Sequence, residues 1–88
     1  MRAEIDLTAV RDIPDLHAYL NAELRLRRVA PALDALQKAL EDPRCDAEIE
    51  LVGYGKIGGA LLDYVNQLIE MIVIAGEKNP KVHVMVTM

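Results

Sequence analysis

Residues 47–59 read "AEIELVGYGKIGG", and two patterns meet in them. Ala47, Ile49 and Leu51 alternate with Glu48, Glu50 and Val52. That period of two puts apolar side chains on one face of a strand and polar ones on the other. Gly53, Gly55 and Gly58 then stand at the G-x-G-x-x-G spacing of a dinucleotide-binding turn, ahead of the helix-like "ALLDYVNQLIEMI". A strand before and a helix after is the context such a turn requires. The alternation argues the other way. In a doubly wound nucleotide-binding sheet helices cover both faces, and strands read as nearly continuous apolar runs. A strand polar at every second position belongs to a sheet covered on one side and wet on the other.

The neighbouring strands share the pattern. In residues 2–7, Ala3, Ile5 and Leu7 alternate with Arg2, Glu4 and Asp6. In residues 82–87, Val82, Val84 and Val86 alternate with His83, Met85 and Thr87. Between the first two strands lie two helical stretches, "DIPDLHAYLNAELRL" (12–26) and "PALDALQKALE" (31–41). Asp12 or Pro14 opens the first and Pro31 the second. A long helix over about residues 57–77 leads to the last strand. The order is β-α-α-β-α-β, and strands joined through helices run parallel. The expected fold is therefore α/β in two layers, a three-stranded parallel sheet with helices on one face, as a single domain over residues 1–88.

Two more features weigh against a bound dinucleotide. The strand after the glycine turn ends "MVTM" and lacks the acid that would hold a ribose, and no second nucleotide-binding half is expected. The glycines then serve a tight turn and close helix–sheet packing. The alternative is a small nucleotide or anion site on the turn's amides, helped by Lys56.

Eighty-eight residues with 52% hydrophobic content suffice for one core, but with no Phe, no Trp and three Tyr it must be built from Leu, Ile, Val, Ala and Met. A chain this size buries roughly 60–65% of its unfolded surface. The net charge of −4 argues against nucleic-acid binding, which needs clustered Lys and Arg. The single Cys45 allows no internal disulfide and points to a reducing compartment. The N-terminus does not read as a signal peptide, and the longest apolar run, "MIVIAG", is far short of a membrane span. The expectation is a soluble, cytoplasmic chain without contact with nucleic acid or membrane.

"R-x-I-x-D-L-H" at Arg11–His17, "E-L-x-L" at Glu23–Leu26 and "L-D-A-L" at Leu33–Leu36 together resemble the barstar-like family of intracellular ribonuclease inhibitors. The match covers roughly the first 40 residues; beyond them only element order and length agree. The resemblance implies a three-stranded parallel sheet covered by helices on one face, and an inhibitory surface made of the second helix, the loop before it and the end of the last helix. There the family carries Y-Y-G-x-N-L-D-A-L-W-D, whose acids cap a basic nuclease cleft. This chain reads "RRVAPALDALQK" (27–38). Asp34 keeps the first aspartate. The tyrosine pair falls near Val29 and Ala30, tryptophan becomes Gln37, the second aspartate becomes Lys38, and a late glutamate falls near Ile74. Lys38 against a basic cleft is repulsive, and the aromatic anchors that usually dominate interfaces are gone. The resemblance thus implies a retained scaffold with a rewritten surface, unsuited to barnase, the family's ribonuclease target.

On a helical wheel, Leu61, Val65, Leu68 and Ile72 form the core stripe of the last helix. Ile74 lies on its wet face and Met71 at the edge of that face. Ala32, Ala35 and Ala39 make a smooth strip on the second helix, with Asp34 and Lys38 outside it. In a barstar-like fold, Val29, Ala30, Ala32, Asp34, Ala35, Lys38, Met71 and Ile74 form a modest apolar patch with charge at its rim, suited to a protein partner. The partner is another ribonuclease, a redesigned protein or a second copy in a homodimer. A natural inhibitor fits, as does an engineered derivative, which the lack of Phe and Trp favours; an inert engineered scaffold with no partner is a further alternative. His17 reads as a boundary histidine, and His83 as part of a solvated acidic sheet face rather than a metal ligand. Cys45 has no basic neighbour beyond Arg44 to activate it. Nothing marks a nucleophile, an acid–base pair in a pocket, a metal or a cofactor, so no catalysis is expected.

Overall fold

The computed structural model describes residues 2–26, 30 and 32–88. Their elements run β1 (Arg2–Asp6), α1 (Ile13–Leu24), α2 (Leu33–Glu41), β2 (Ala47–Val52), α3 (Gly59–Lys78) and β3 (Val82–Thr87), with short 3-10 turns at Leu7–Ala9 and Tyr54–Lys56. The strands form one parallel sheet in the order β1-β2-β3. Glu48 pairs with Arg2 on one side and His83 on the other, and Glu50 with Glu4 and Met85. This register aligns the alternation of all three strands. Ala3, Ile5, Ala47, Ile49 and Leu51 are buried on one face, while Arg2, Glu4, Glu48, His83 and Met85 are exposed on the other. The two-layer α/β expectation holds.

Leu16, Leu20 and Leu24 of α1, Leu36 and Leu40 of α2, and Val65, Leu68, Ile72 and Ala75 of α3 close the core over the inner face. Each fully buried Leu or Ile contributes on the order of 1.5–3 kcal/mol, so leucine and isoleucine fill the space that aromatics usually occupy. By length and composition α3 could cross a membrane, a property no short run of the sequence displayed. Its buried stripe of Val65, Leu68, Ile72 and Ala75 instead packs into this core.

Several element ends differ from the periodicity reading, each for a local reason. The Asp6 carboxylate accepts the Thr8 N–H at 3.0 Å, which turns the chain into the first 3-10 segment and ends β1 before Leu7. Helix α1 begins where Asp12 Oδ1 accepts the Asp15 N–H at 2.8 Å, with Pro14 in its first turn. It stops at Arg25, whose φ of 51° is left-handed, so the helix is shorter than its apolar pattern. Glycine usually fills that cap. The turn at Tyr54–Lys56 delays α3 to Gly59.

Candidate functional site

The α2 surface is set by leucines. Fully buried Leu36 and Leu40 fix one side of the helix in the core, so Ala32 at its N-cap and Asp34, Ala35 and Lys38 face outward and are exposed. Helix α3 packs beside α2. Near their C-terminal ends Lys78 Nζ lies 3.6 Å from Glu41 Oε2, and Gln37 Nε2 donates to Glu41 at 2.9 Å. One turn before Lys78 stands Ile74, 41% exposed. Ala32, Asp34, Ala35, Lys38 and Ile74 are therefore available on the two helices as expected. Val29 lies outside the described residues.

Two expected patch residues are corrected. Met71 is only 6% exposed. Helix α3 covers the sheet and also flanks α2, which widens its buried arc past the single stripe a wheel assigns. Ala30 is 2% exposed and belongs to the support of the surface rather than to the surface.

That support is a polar clamp that composition did not reveal. The Ala30 N–H donates to Asn21 Oδ1 at 2.8 Å. Its carbonyl accepts from Asn21 Nδ2 at 3.1 Å and from His17 Nδ1 at 3.2 Å. With the proton on Nδ1, His17 Nε2 accepts from the Tyr64 hydroxyl, and the two rings meet edge to face at 5.6 Å. Asn21 Nδ2 also donates to the His17 carbonyl at 2.6 Å. His17 is buried, deeper than a boundary position, and burial pushes its pKa down against a smaller raising effect of the Ala30 carbonyl. The neutral ring thus ties the main chain just ahead of α2 to both α1 and α3. The signal for it is the i, i+4 spacing of His17 and Asn21 on α1, visible once their partners are known.

A second clamp holds the far end of α2. Asn79, 2% exposed, donates from Nδ2 to the carbonyls of Leu40, Asp42 and Cys45, each at 2.9 Å, and its Oδ1 accepts the Lys81 N–H at 3.1 Å. The Cys45 thiol is half-buried, and burial first, then Asp42 and Asp46, raise its pKa. It is held away from the reactive thiolate.

In the glycine turn, Gly53 takes φ +83°, and a Cβ there would meet Thr8 Cγ2 at 2.9 Å. The turn uses its own amides. Gly53 N–H donates to the Thr87 carbonyl at 2.9 Å, Lys56 N–H to Gly53 at 2.9 Å and Ile57 N–H to Tyr54 at 3.5 Å. A Cβ on Gly58 would meet nothing within 4 Å, so close packing, expected of this glycine, does not explain it. The glycine pressed hardest against the sheet is Gly76, where a Cβ would sit 2.9 Å from the Val82 carbonyl oxygen.

On the open sheet face Glu50 is engaged by Arg2 at one oxygen and by the Thr87 hydroxyl at 3.1 Å on the other. These bonds, Arg2 first, hold its pKa below the usual carboxylate range. Among the described residues no group of three or more His, Cys, Asp or Glu side chains is placed to hold a metal ion. No protein-family model matches the chain, and a search of curated proteins finds no match.

Proposed function

We propose that this chain is a non-catalytic, cytoplasmic protein-binding domain whose working surface is the outer side of α2 with Ile74 of α3. The observation that carries the reading is the exposure of Ala32, Asp34, Ala35 and Lys38 on a helix whose opposite side is fixed by fully buried Leu36 and Leu40. The clamps at Ala30 and Asn79 hold both ends of that helix through side chains of α1 and of the turn after α3. Binding to a surface already ordered loses less conformational entropy. The small side chains permit close approach of a partner backbone, and Ile74 supplies an apolar contact.

The resemblance of roughly the first 40 residues to barstar-like inhibitors supports a ribonuclease-like partner, and Lys38 in place of an acid argues that barnase is not it. A redesigned partner protein meets the same requirements. The glycine turn offers weaker ground for a nucleotide or anion site, because three of its amides are bonded within the fold.

Backbone amide shifts of the labelled chain, titrated with a panel of purified small ribonucleases including barnase, test the reading. The expected result is saturable shifts confined to residues 32–38 and around Ile74 with one member of the panel, and none with barnase. Lys38→Asp should raise affinity for barnase by roughly tenfold or more, since it removes a like charge from a basic cleft. Nanomolar inhibition of barnase by the unaltered chain would overturn the rewritten surface. A panel that leaves α2 unmoved, with NAD, ATP or phosphate shifting residues 53–59, would overturn the protein-binding reading.

A further inference from the structure

The described residues expose five large apolar side chains, Val73, Ile74, Met85, Val86 and Met88. Met85, Val86 and Met88 lie on or just after β3, the last strand of the sheet, which pairs with β2 alone. Val73 lies beside the start of the same strand, in a groove of about 420 Å³ between α3 and β3 that Ile72, Gly76, Val82 and Val84 also line. Four of the five thus lie on or beside β3, while Ile74 belongs with the α2 surface.

The main chain of that edge is open from Val84 onward, the Val82 N–H being bonded to the Asn79 carbonyl at 3.0 Å. Ala47 N–H bonds the Lys81 carbonyl and Gly53 N–H the Thr87 carbonyl. In a parallel ladder this phase directs the odd-numbered residues of β3 toward β2, and Val84 and Val86 turn their N–H and C=O groups outward. Unpaired edges are ordinarily blunted by charge, proline or a bulge. Val82–Thr87 carries no proline, and its nearest approach to a charge is His83.

We propose that β3 pairs antiparallel with β3 of a second copy about a two-fold axis at Val84, joining two sheets into one of six strands. The choice of a second copy rests on the order of residues. Valines at 82, 84 and 86 are symmetric about Val84, so Val84 faces the partner's Val84 and Val82 faces the partner's Val86. On the open face His83 meets the partner's Met85, and Lys81 meets the partner's Thr87. No like charges oppose each other, and valine faces valine, a favourable cross-strand pair. The same operation on β1 sets Glu4 against the partner's Glu4, which like charge disfavours. A two-fold contact also closes on itself, whereas β3 added to β1 would propagate without end.

The area limits the strength. Six strand residues span roughly 20 Å, so the strip falls well below the about 800 Å² per partner of a standard interface. The dimer dissociates in the micromolar range or above.

Sedimentation across roughly 1 µM to about 1 mM chain reads it out directly. The expected result is a mass rising from 9.8 kDa toward twice that value. Val86→Lys should abolish the rise with an unchanged far-ultraviolet spectrum, while Ile74→Glu leaves it intact. In a Cys45→Ala background, Val84→Cys should cross-link to a covalent dimer on mild oxidation. Directly opposed residues lie about 5.5 Å apart, within disulfide reach. Thr87→Cys, opposite Lys81 of the other copy, should not. A single 9.8 kDa species at every concentration overturns the proposal. So does self-association abolished by Ile74→Glu but not by Val86→Lys, which assigns the contact to the α2–α3 surface instead.

Discussion

Replacing Asn79 tests the physical account of how α2 is held. Its amide nitrogen serves three carbonyls, those of Leu40, Asp42 and Cys45, with two protons, so one is shared. Asn79→Ala removes both donors at a site only 2% exposed. An acceptor left unsatisfied in a buried setting costs about 1–3 kcal/mol. The Leu40 carbonyl is buried and the other two are partly so, which places the loss near 3 kcal/mol. A domain of this length has a total stability of about 4–13 kcal/mol, so the variant should melt on the order of 15 °C lower. Asn79→Asp keeps the oxygen that accepts from Lys81 N–H but aims a carboxylate at three carbonyl oxygens. It should therefore be worse than alanine by about 1 kcal/mol or more. Urea unfolding followed by circular dichroism measures both. A loss below about 1 kcal/mol for Asn79→Ala, or an aspartate variant more stable than the alanine one, refutes the reasoning.

The folded-state pKa of His17 lies below its unfolded value of about 6.5, so the unfolded chain takes up the proton first. Its contribution to stability is complete above that pH and declines as pH falls through the folded-state pKa. Urea midpoints between pH 7.5 and 5 should drop more steeply for the unaltered chain than for His17→Gln, and coincident slopes would count against the clamp. Gly76→Ala should destabilise by about 1–3 kcal/mol, because its methyl group meets the Val82 carbonyl oxygen at 2.9 Å and α3 must lift from β3. Gly53→Ala combines a left-handed φ of +83° with a 2.9 Å contact to Thr8 Cγ2 and should cost about 1–2 kcal/mol or more. Thermal melts that leave either glycine variant unchanged would contradict the contacts described.

Alternation in residues 2–7, 47–52 and 82–87 made the two-layer sheet legible, because side-chain direction in a strand follows from the backbone alone. The same reasoning exposed Ala32, Asp34, Ala35, Lys38 and Ile74, since a leucine stripe on a helix dictates what its far side presents. It failed at Met71, where a second helix packs on the flank of α3. It also failed at Ala30, whose short apolar side chain says nothing of three hydrogen bonds to its main chain. The C-terminal end of α1 was misjudged because Arg25 occupies a left-handed cap that carries no glycine to announce it.

From its sequence alone the chain is one α/β layer pair with a dry and a wet sheet face, because periodicity is local and each strand declares its own two sides. It took packing in three dimensions to bring His17, Asn21, Tyr64 and Asn79 to the ends of α2, and to place four of the five exposed large apolar side chains on or beside β3. Those facts join residues as far apart as 17 and 64 or 40 and 79, and such contacts arise from packing in space, which no local pattern encodes.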